Sequence, residues 1–493
     1  MSTDRRNPRA GVDPLDPYDA VLLVSYGGPY EPDDVLPFMR NATRGRGVPD
    51  ERLIEVSGHY QRFGGASPIN ERVAELRAAL GAALHEQGST VPVVVGNRNW
   101  HPFIKEALHE LGRTGARRVL ALLTSAYASY SGCRQYRENL AGALEELRAE
   151  GDPGGAIVVD KVRPYFTTPG FLAAATDSAC DALADLADEL APHGGLDALR
   201  LVFVTHAIPI DMEGGSGPLD AVGPSAGSAE DGGGPPASSY HAAATAPMCG
   251  RDVMRASYVA QHEIVCRQIA ATLERRFARP VTWDLVFCSR SGPPQQPWTD
   301  PDVNDHLTAL ARQGVRGVVT APIGFINDHM EVVFDLDVEA AETAAECGLA
   351  YRRARTVGVD PRFVESLVHV TLERAAEQRG EAAHPEEGDL GPWPSVCRPQ
   401  CCTSRPAGAS GPPAWVLARR ADAGEGRALT GHPTATARGP ESSGTEGRGP
   451  DPAAPGAHPP SPHPDATTSP RPATPNTGVS PRPPARPTVC GKD

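Results

Sequence analysis

The chain has no apolar run approaching the roughly 20 residues that a membrane-spanning helix requires. Its first residues, Met1-Ser2-Thr3-Asp4-Arg5-Arg6, lead into no apolar stretch. That excludes a Sec-type signal, and Arg5-Arg6 alone is too little for a twin-arginine one. A cytoplasmic protein with at most peripheral membrane contact is expected. Positive charge is also short: 47 Lys and Arg face 61 Asp and Glu, a net charge of -14. This acidity, with no RNA- or DNA-binding motif, argues against a nucleic-acid partner. Large apolar side chains almost vanish from Thr403 onward, Trp415, Val416 and Leu417 excepted. Stretches such as Pro459-Pro460-Ser461-Pro462-His463-Pro464 cannot bury enough surface to offset chain entropy. Residues 403–493 are therefore expected to form a disordered tail.

Ten cysteines are present, and in a cytosol most are reduced thiols. Cys180, Cys249, Cys266, Cys288 and Cys347 stand singly in apolar or helical contexts and read as inert; Cys490 lies in the tail. Cys397, Cys401 and Cys402 are clustered, and clustering needs another explanation.

The remainder alternates strands with helices. Ala20 to Tyr26 is a short apolar run ending at Gly27-Gly28-Pro29, the pattern of a buried parallel strand followed by a sharp loop. Ser67-Pro68 opens a helix to about His85, with Ser as cap and Pro in the first turn. Further strands are expected at 91–95, 119–123, 157–162, 199–205, 285–289 and 315–321, and helices near 103–113, 134–149, 171–190, 252–277 and 302–313. Such alternation predicts α/β architecture with right-handed crossovers. Two similar open parallel sheets, Rossmann-like and facing a cleft, are expected, with ligands at the carboxyl ends of the strands. Residues 211–250, rich in Gly and Pro, interrupt the second half as an insertion or a lid over the site.

Two segments carry the chemistry. Val202-Phe203-Val204-Thr205-His206 is an apolar strand ending on a histidine. Met330 to Glu339 begins a helix in which Glu331, Asp335 and Glu339 are spaced i, i+4, i+8, three acids on one face. Their mutual repulsion has a cost that a divalent cation passing along the face would offset.

With these residues in view, the chain resembles the ferrochelatase family, which inserts Fe²⁺ into a porphyrin. The resemblance covers about residues 18–378. It rests on Ser25-Tyr26-Gly27-Gly28-Pro29, Arg44-Gly45-Arg46, the run His59 to Pro68, Gly96 to Phe103, Thr124-Ser125-Ala126-Tyr127, Gln135-Tyr136 and the His206 and Glu331 segments, in that order. It implies His206 and Glu331 as catalytic metal ligands on opposite faces of the porphyrin, with Asp335 and Glu339 relaying iron inward. It also implies Tyr26, Arg44, Tyr60, Ser67 and Tyr136 as porphyrin-binding residues. Ala207 stands where many members have serine. The match to actinobacterial members favours coproporphyrin III, with protoporphyrin IX as the second choice. Some relatives hold a 2Fe–2S cluster on three C-terminal cysteines and one internal cysteine, which implies Cys133, Cys397, Cys401 and Cys402 here. Haem-pathway enzymes acting before or after this step are the protein partners this implies.

The expected organisation is a first chelatase half at 18–160 and a second at 161–378, whose last helix returns to the first half. A cysteine-bearing extension at 379–402 and the tail follow. A cobalt or nickel chelatase for sirohydrochlorin and a haem carrier using His206 as axial ligand are the alternatives. The carrier would have no use for the acids at 331–339.

Overall fold

The computed structural model describes residues 12–403, except 46, 218–256, 293–294, 383, 385, 387, 391–392 and 398–400. Most of the 211–250 insertion, Cys249, Cys490 and the tail from 404 onward therefore lie outside the described residues.

Among the described residues, eight strands form two sheets of identical topology. The first contains β1 (Ala20–Ser25), β2 (Val93–Asn97), β3 (Arg118–Leu123) and β4 (Val158–Lys161), in the order β2-β1-β3-β4. The second contains β5 (Leu199–His206), β6 (Trp283–Cys288), β7 (Gly317–Ala321) and β8 (Ala350–Arg353), in the order β6-β5-β7-β8. Every pairing is parallel. The expected pair of open parallel sheets is thus observed. All six residues of β1 are buried, as a strand covered by helices on both faces requires. The strand expected at 157–162 is β4, an edge strand of the first sheet.

Helices fill the crossovers. The first half carries α1 (Val35–Ala42), α2 (Asp50–Gln61), α3 (Ile69–Glu86), α4 (Ile104–Arg113) and α5 (Gln135–Ala149). The second carries α6 (Pro169–Glu189), α7 (Ile210–Gly214), α8 (Tyr258–Phe277), α9 (Val303–Arg312), α10 (Met330–Val333), α11 (Ala340–Glu346) and α12 (Pro361–Gln378). None of these is long and apolar enough to cross a membrane. Helix α3 starts one residue later than expected: Pro68 takes the cap position, and Ser67, ahead of it, accepts from the Ile69 amide at 3.5 Å. Helix α12 returns to pack on α3 and α6. Its Arg374 bonds Asp160 of β4 at 3.2 Å, and its Glu373 takes the buried Arg163 at 2.8 Å.

Two glycines shape the strand ends that matter. Gly27 follows β1 at φ 79°, in the left-handed region that favours glycine. Gly324 follows β7, where its amide bonds the Val204 carbonyl at 3.2 Å. A Cβ there would strike the side chain of Thr205, the residue before His206. Gly324→Ala is accordingly expected to cost about 1–3 kcal/mol of stability by overpacking. Chemical denaturation would check this, and an unchanged midpoint would contradict the tight approach.

Candidate metal and porphyrin site

The sheet topology brings the two chemistry-bearing segments together. His206 is the last residue of β5, and Glu331 lies in α10, which follows the neighbouring strand β7. Their side chains meet, His206 Nε2 lying 3.4 Å from Glu331 Oε1. The imidazole is 31 % exposed and the carboxylate 46 %, so both reach the cleft. His206 Nδ1 donates to the Ala207 carbonyl at 2.5 Å, which turns Nε2 toward Glu331. Burial alone would strip the proton from His206. The adjacent Glu331 carboxylate outweighs it and holds the imidazole up at about 9.

This contact corrects one expectation. A flat macrocycle between two groups needs twice a van der Waals separation, about 7 Å. At 3.4 Å, no macrocycle fits between His206 and Glu331 in this arrangement, so it does not offer the expected placement on opposite faces. His329 joins them, with Nε2 4.0 Å from Glu331 Oε2, and burial lowers its affinity for a proton.

The acid ladder also differs from a plain α-helical stripe. Helix α10 gives way to a π turn over Asp335–Glu339, in which the Glu339 amide reaches back to the Phe334 carbonyl at 3.0 Å. One extra residue per turn shifts every acid after Glu331 around the axis. Glu331 and Glu339 remain exposed, with the half-buried Asp335 between them. Burial raises Asp335 to about 7, against the pull of a hydrogen bond from Ser289 and with added repulsion from Glu331 and Glu339. Ser289 follows β6 at φ 63°, an uncommon conformation for a residue with a side chain. Burial and the charges of Asp302 and Glu342 also raise Glu339. Asp337, between these acids, pairs instead with Arg353.

The five expected porphyrin contacts gather around the carboxyl end of β1. Tyr26, 37 % exposed, and Tyr60 both pack edge-on against Phe38, with centroids 6.2 and 6.0 Å away. Burial raises Tyr60, and the charges of Tyr26, Glu331 and Asp335 add to this, which places Tyr60 close to the acids. Arg44 is exposed and bonds Asn41 at 2.6 Å. Ser67 and Tyr136 are brought to the same region but lie buried. Arg98, which sequence reasoning did not single out, lies over the rings of both Tyr26 and Tyr136, 5.6 and 4.5 Å from their centroids.

A polar layer behind His206 was also not foreseen. Thr205 Oγ1 lies 2.9 Å from His262 Nε2 and 2.8 Å from the Tyr258 hydroxyl, which also donates to the His206 carbonyl at 3.1 Å. His262 Nδ1 faces the Tyr258 carbonyl at 2.8 Å, and burial depresses its proton affinity to about 3, so the ring is neutral. The signal was present as Tyr258 and His262 at i, i+4 in the first turns of a helix, but the apolar surroundings read as core.

The four cysteines singled out by resemblance come together. Cys133 lies in a π turn, Tyr130–Arg134, and all four thiols are buried. Cys133 touches Cys397 and Cys402, and Cys401 touches the same two, closing a ring. The Cys401 and Cys402 sulfurs are 3.6 Å apart. Hydrogen bonds from Cys133 and Cys401 hold Cys397 and Cys402 well below the ordinary thiol value. Among the described residues, these four cysteines included, no three His, Cys, Asp or Glu form a ready-made site for a metal ion.

Comparison with known proteins identifies the family. A model of the ferrochelatase family matches residues 18–375. Coproporphyrin III ferrochelatase of Streptomyces griseus is 46% identical over 390 residues, covering 79% of this chain and 94% of that protein. The protein of that name from Leifsonia xyli is 42% identical over 388 residues, 78% of this chain and 91% of its own. A ferrochelatase of Rhodopirellula baltica is 39% identical over 393 residues, 80% and 95%. Among solved structures, SirB from Bacillus subtilis with Fe³⁺ aligns with 74% of this chain and 99% of its own, at a TM-score of 0.38 and 11% identity, a level that carries no argument. On the family match and the extent of these identities, the chain belongs to the ferrochelatase family.

Proposed function

We propose that this protein inserts ferrous iron into coproporphyrin III, forming Fe–coproporphyrin III in haem synthesis. The observation that carries the reading is the His206–Glu331 contact of 3.4 Å at the cleft, backed by Asp335 and Glu339. The relatives named coproporphyrin III ferrochelatase support the choice of porphyrin.

Metalation exchanges two pyrrole N–H protons for one Fe²⁺, so the site must accept protons and hold a cation at one place. His206 with its Nδ1–H fixed on Ala207 presents Nε2 as the working atom. Imidazole and carboxylate both suit iron. A cation entering between them would displace the imidazole proton to solvent; once the cation passes to the ring nitrogens, the vacated imidazole and carboxylate can accept the two pyrrole protons. Tyr26 follows β1 as His206 closes β5, equivalent places in two sheets of one topology, and it is the candidate for the other side of the macrocycle. Arg44 and Tyr60 offer donors to propionates at the rim.

The four cysteines fit a 2Fe–2S cluster by their donor chemistry. Four buried sulfurs closed in a ring, each meeting two others, are the donor set such a cluster takes from a protein. When bound, the cluster would tie residue 133 to residues 397–402, closing a long loop in the chain.

The direct test is anaerobic mixing of the protein with coproporphyrin III and Fe²⁺; persistence of the free-porphyrin spectrum would overturn the assignment. His206→Ala is expected to lower turnover by about 10²–10⁴-fold while porphyrin still binds, as seen in an absorbance titration. Glu331→Gln should fall comparably, because an amide cannot accept a pyrrole proton.

The pH response follows from Asp335. Its folded value is raised to about 7, so below that pH it is neutral and a poor cation ligand. The Fe²⁺ concentration for half-maximal rate should therefore fall as pH rises through 7. Asp335→Asn should raise that concentration and flatten its dependence on pH.

Protein purified without oxygen should be brown and carry about two irons and two sulfides beyond the substrate iron. Cys→Ser at 133, 397, 401 or 402 should bleach it. A colourless protein with four reactive thiols after reconstitution would contradict the cluster and leave the chelatase reading standing.

A further inference from the structure

The segment leading into the Cys133 turn and the end of β5 are both hydrogen-bonded to the first turns of α8. On the cysteine side, Gln261 is fully buried and clamps the backbone of one residue ahead of the Cys133 turn. Its Oε1 accepts from the Ala128 amide at 2.8 Å, and its Nε2 donates to the Ala128 carbonyl at 2.9 Å. Beside it the Tyr127 ring stacks on His262, with centroids 3.7 Å apart and planes 16° from parallel. On the other side of the same turns, Tyr258 and His262 hold Thr205 and the His206 carbonyl.

A second route closes the circuit. The chain leaving His206 forms α7 and runs on to residues 215–217, which lie against the C-terminal cysteines. Thr403 donates its amide to the Gly215 carbonyl at 3.1 Å, and Cys402 donates its amide to Gly217 at 3.4 Å. The Cys401 thiol reaches the same Gly217 carbonyl at 3.5 Å. Glu213, in α7, accepts from the Val259 amide at the start of α8 at 3.4 Å. Arg134, next to Cys133, donates to the Cys401 carbonyl at 3.2 Å and so binds the two cysteine segments to each other.

We propose that the first turns of α8 are a positioning element through which the packing of the cysteine ring sets the placement of His206, with Gln261 as the coupling residue and Tyr258 as the one that meets His206. The proposal rests on the reading of His206 as a metal-site residue. A two-bond amide clamp fixes Ala128, two residues before the turn that carries Cys133, to α8 in register. Displacing that turn moves the helix start, and with it the two side chains that hold the end of β5. On the α8 side these contacts end on Thr205 and the His206 carbonyl, so the effect should fall chiefly on the chemical step. Misplacing a reacting group by an ångström can cost on the order of a hundredfold in rate.

The test uses the full chain, prepared without oxygen, and two readouts: turnover, and hydrogen exchange of the amides at 205–209. Gln261→Met is expected to lower kcat about tenfold, within that range, with the KM for coproporphyrin III little changed and exchange at 205–209 accelerated. Cys401→Ser should accelerate exchange at the same amides. The double variant should show no more than the larger single effect, since both act on one connection. Tyr258→Phe removes only a hydroxyl and serves where Gln261→Met does not fold; it should give the same loss in kcat without one in KM. Wild-type exchange at 205–209 in a folded Gln261→Met or Tyr258→Phe variant, or fully additive effects in the double variant, would overturn the proposal. Absence of turnover in the wild type would instead overturn the proposed function, and exchange alone would then decide the coupling.

Discussion

The close approach of His206 and Glu331 is the constraint around which the rest of the site is arranged. Two half-exposed groups stand 3.4 Å apart, the imidazole being held at about 9 by the carboxylate against the opposing effect of burial. Water alone would not keep them there. The contact depends on β5 and β7 being neighbours, on Gly324 passing against Thr205, and on Ala207 and Tyr258 holding His206 by ring and by backbone. Each of these is an ordinary packing or hydrogen-bond term. Together they place a proton acceptor and a metal ligand where the carboxyl ends of a parallel sheet open to a cleft.

A pair so close makes chemical sense if both partners work on one side of a macrocycle. The acids beyond Glu331 then form an approach to that side, with Asp335 poised near neutrality between exposed neighbours. The π turn matters here. It lets Asp335 turn to Ser289 while Asp337 turns away to Arg353, so adjacent acids of one segment serve separate purposes. The cysteine ring is a second centre, built from parts of the chain far apart in sequence, and its nearest bonded neighbours lead back to β5.

Much of this was legible in the residues. Apolar runs located seven of the eight strands, because strands buried on both faces are written as continuous Val, Leu and Ile. The missing one, β8, reads Ala-Tyr-Arg-Arg and is only half-buried, so it carries no apolar run. The approach of His206 to Glu331 was anticipated as a pairing, but its geometry was not: sequence spacing carries no information on which side of a ligand two distant residues fall. The π turn left no spacing signature, since its hydrogen bonds depend on one inserted residue. Ser67 and Tyr136 were expected at a rim and are buried, because hydroxyl-bearing residues look alike in sequence whether they face solvent or packing. The layer of Thr205, Tyr258 and His262 was hidden for the opposite reason, polar atoms being few within an apolar helix and strand.

The most direct test of this account is an experimental structure with coproporphyrin III bound in the cleft. The account predicts the His206 imidazole and the Glu331 carboxylate over one face of the macrocycle, both directed at the pyrrole nitrogens, with Tyr26 at the other face. His206 and Glu331 on opposite faces, or a porphyrin seated away from both, would contradict it.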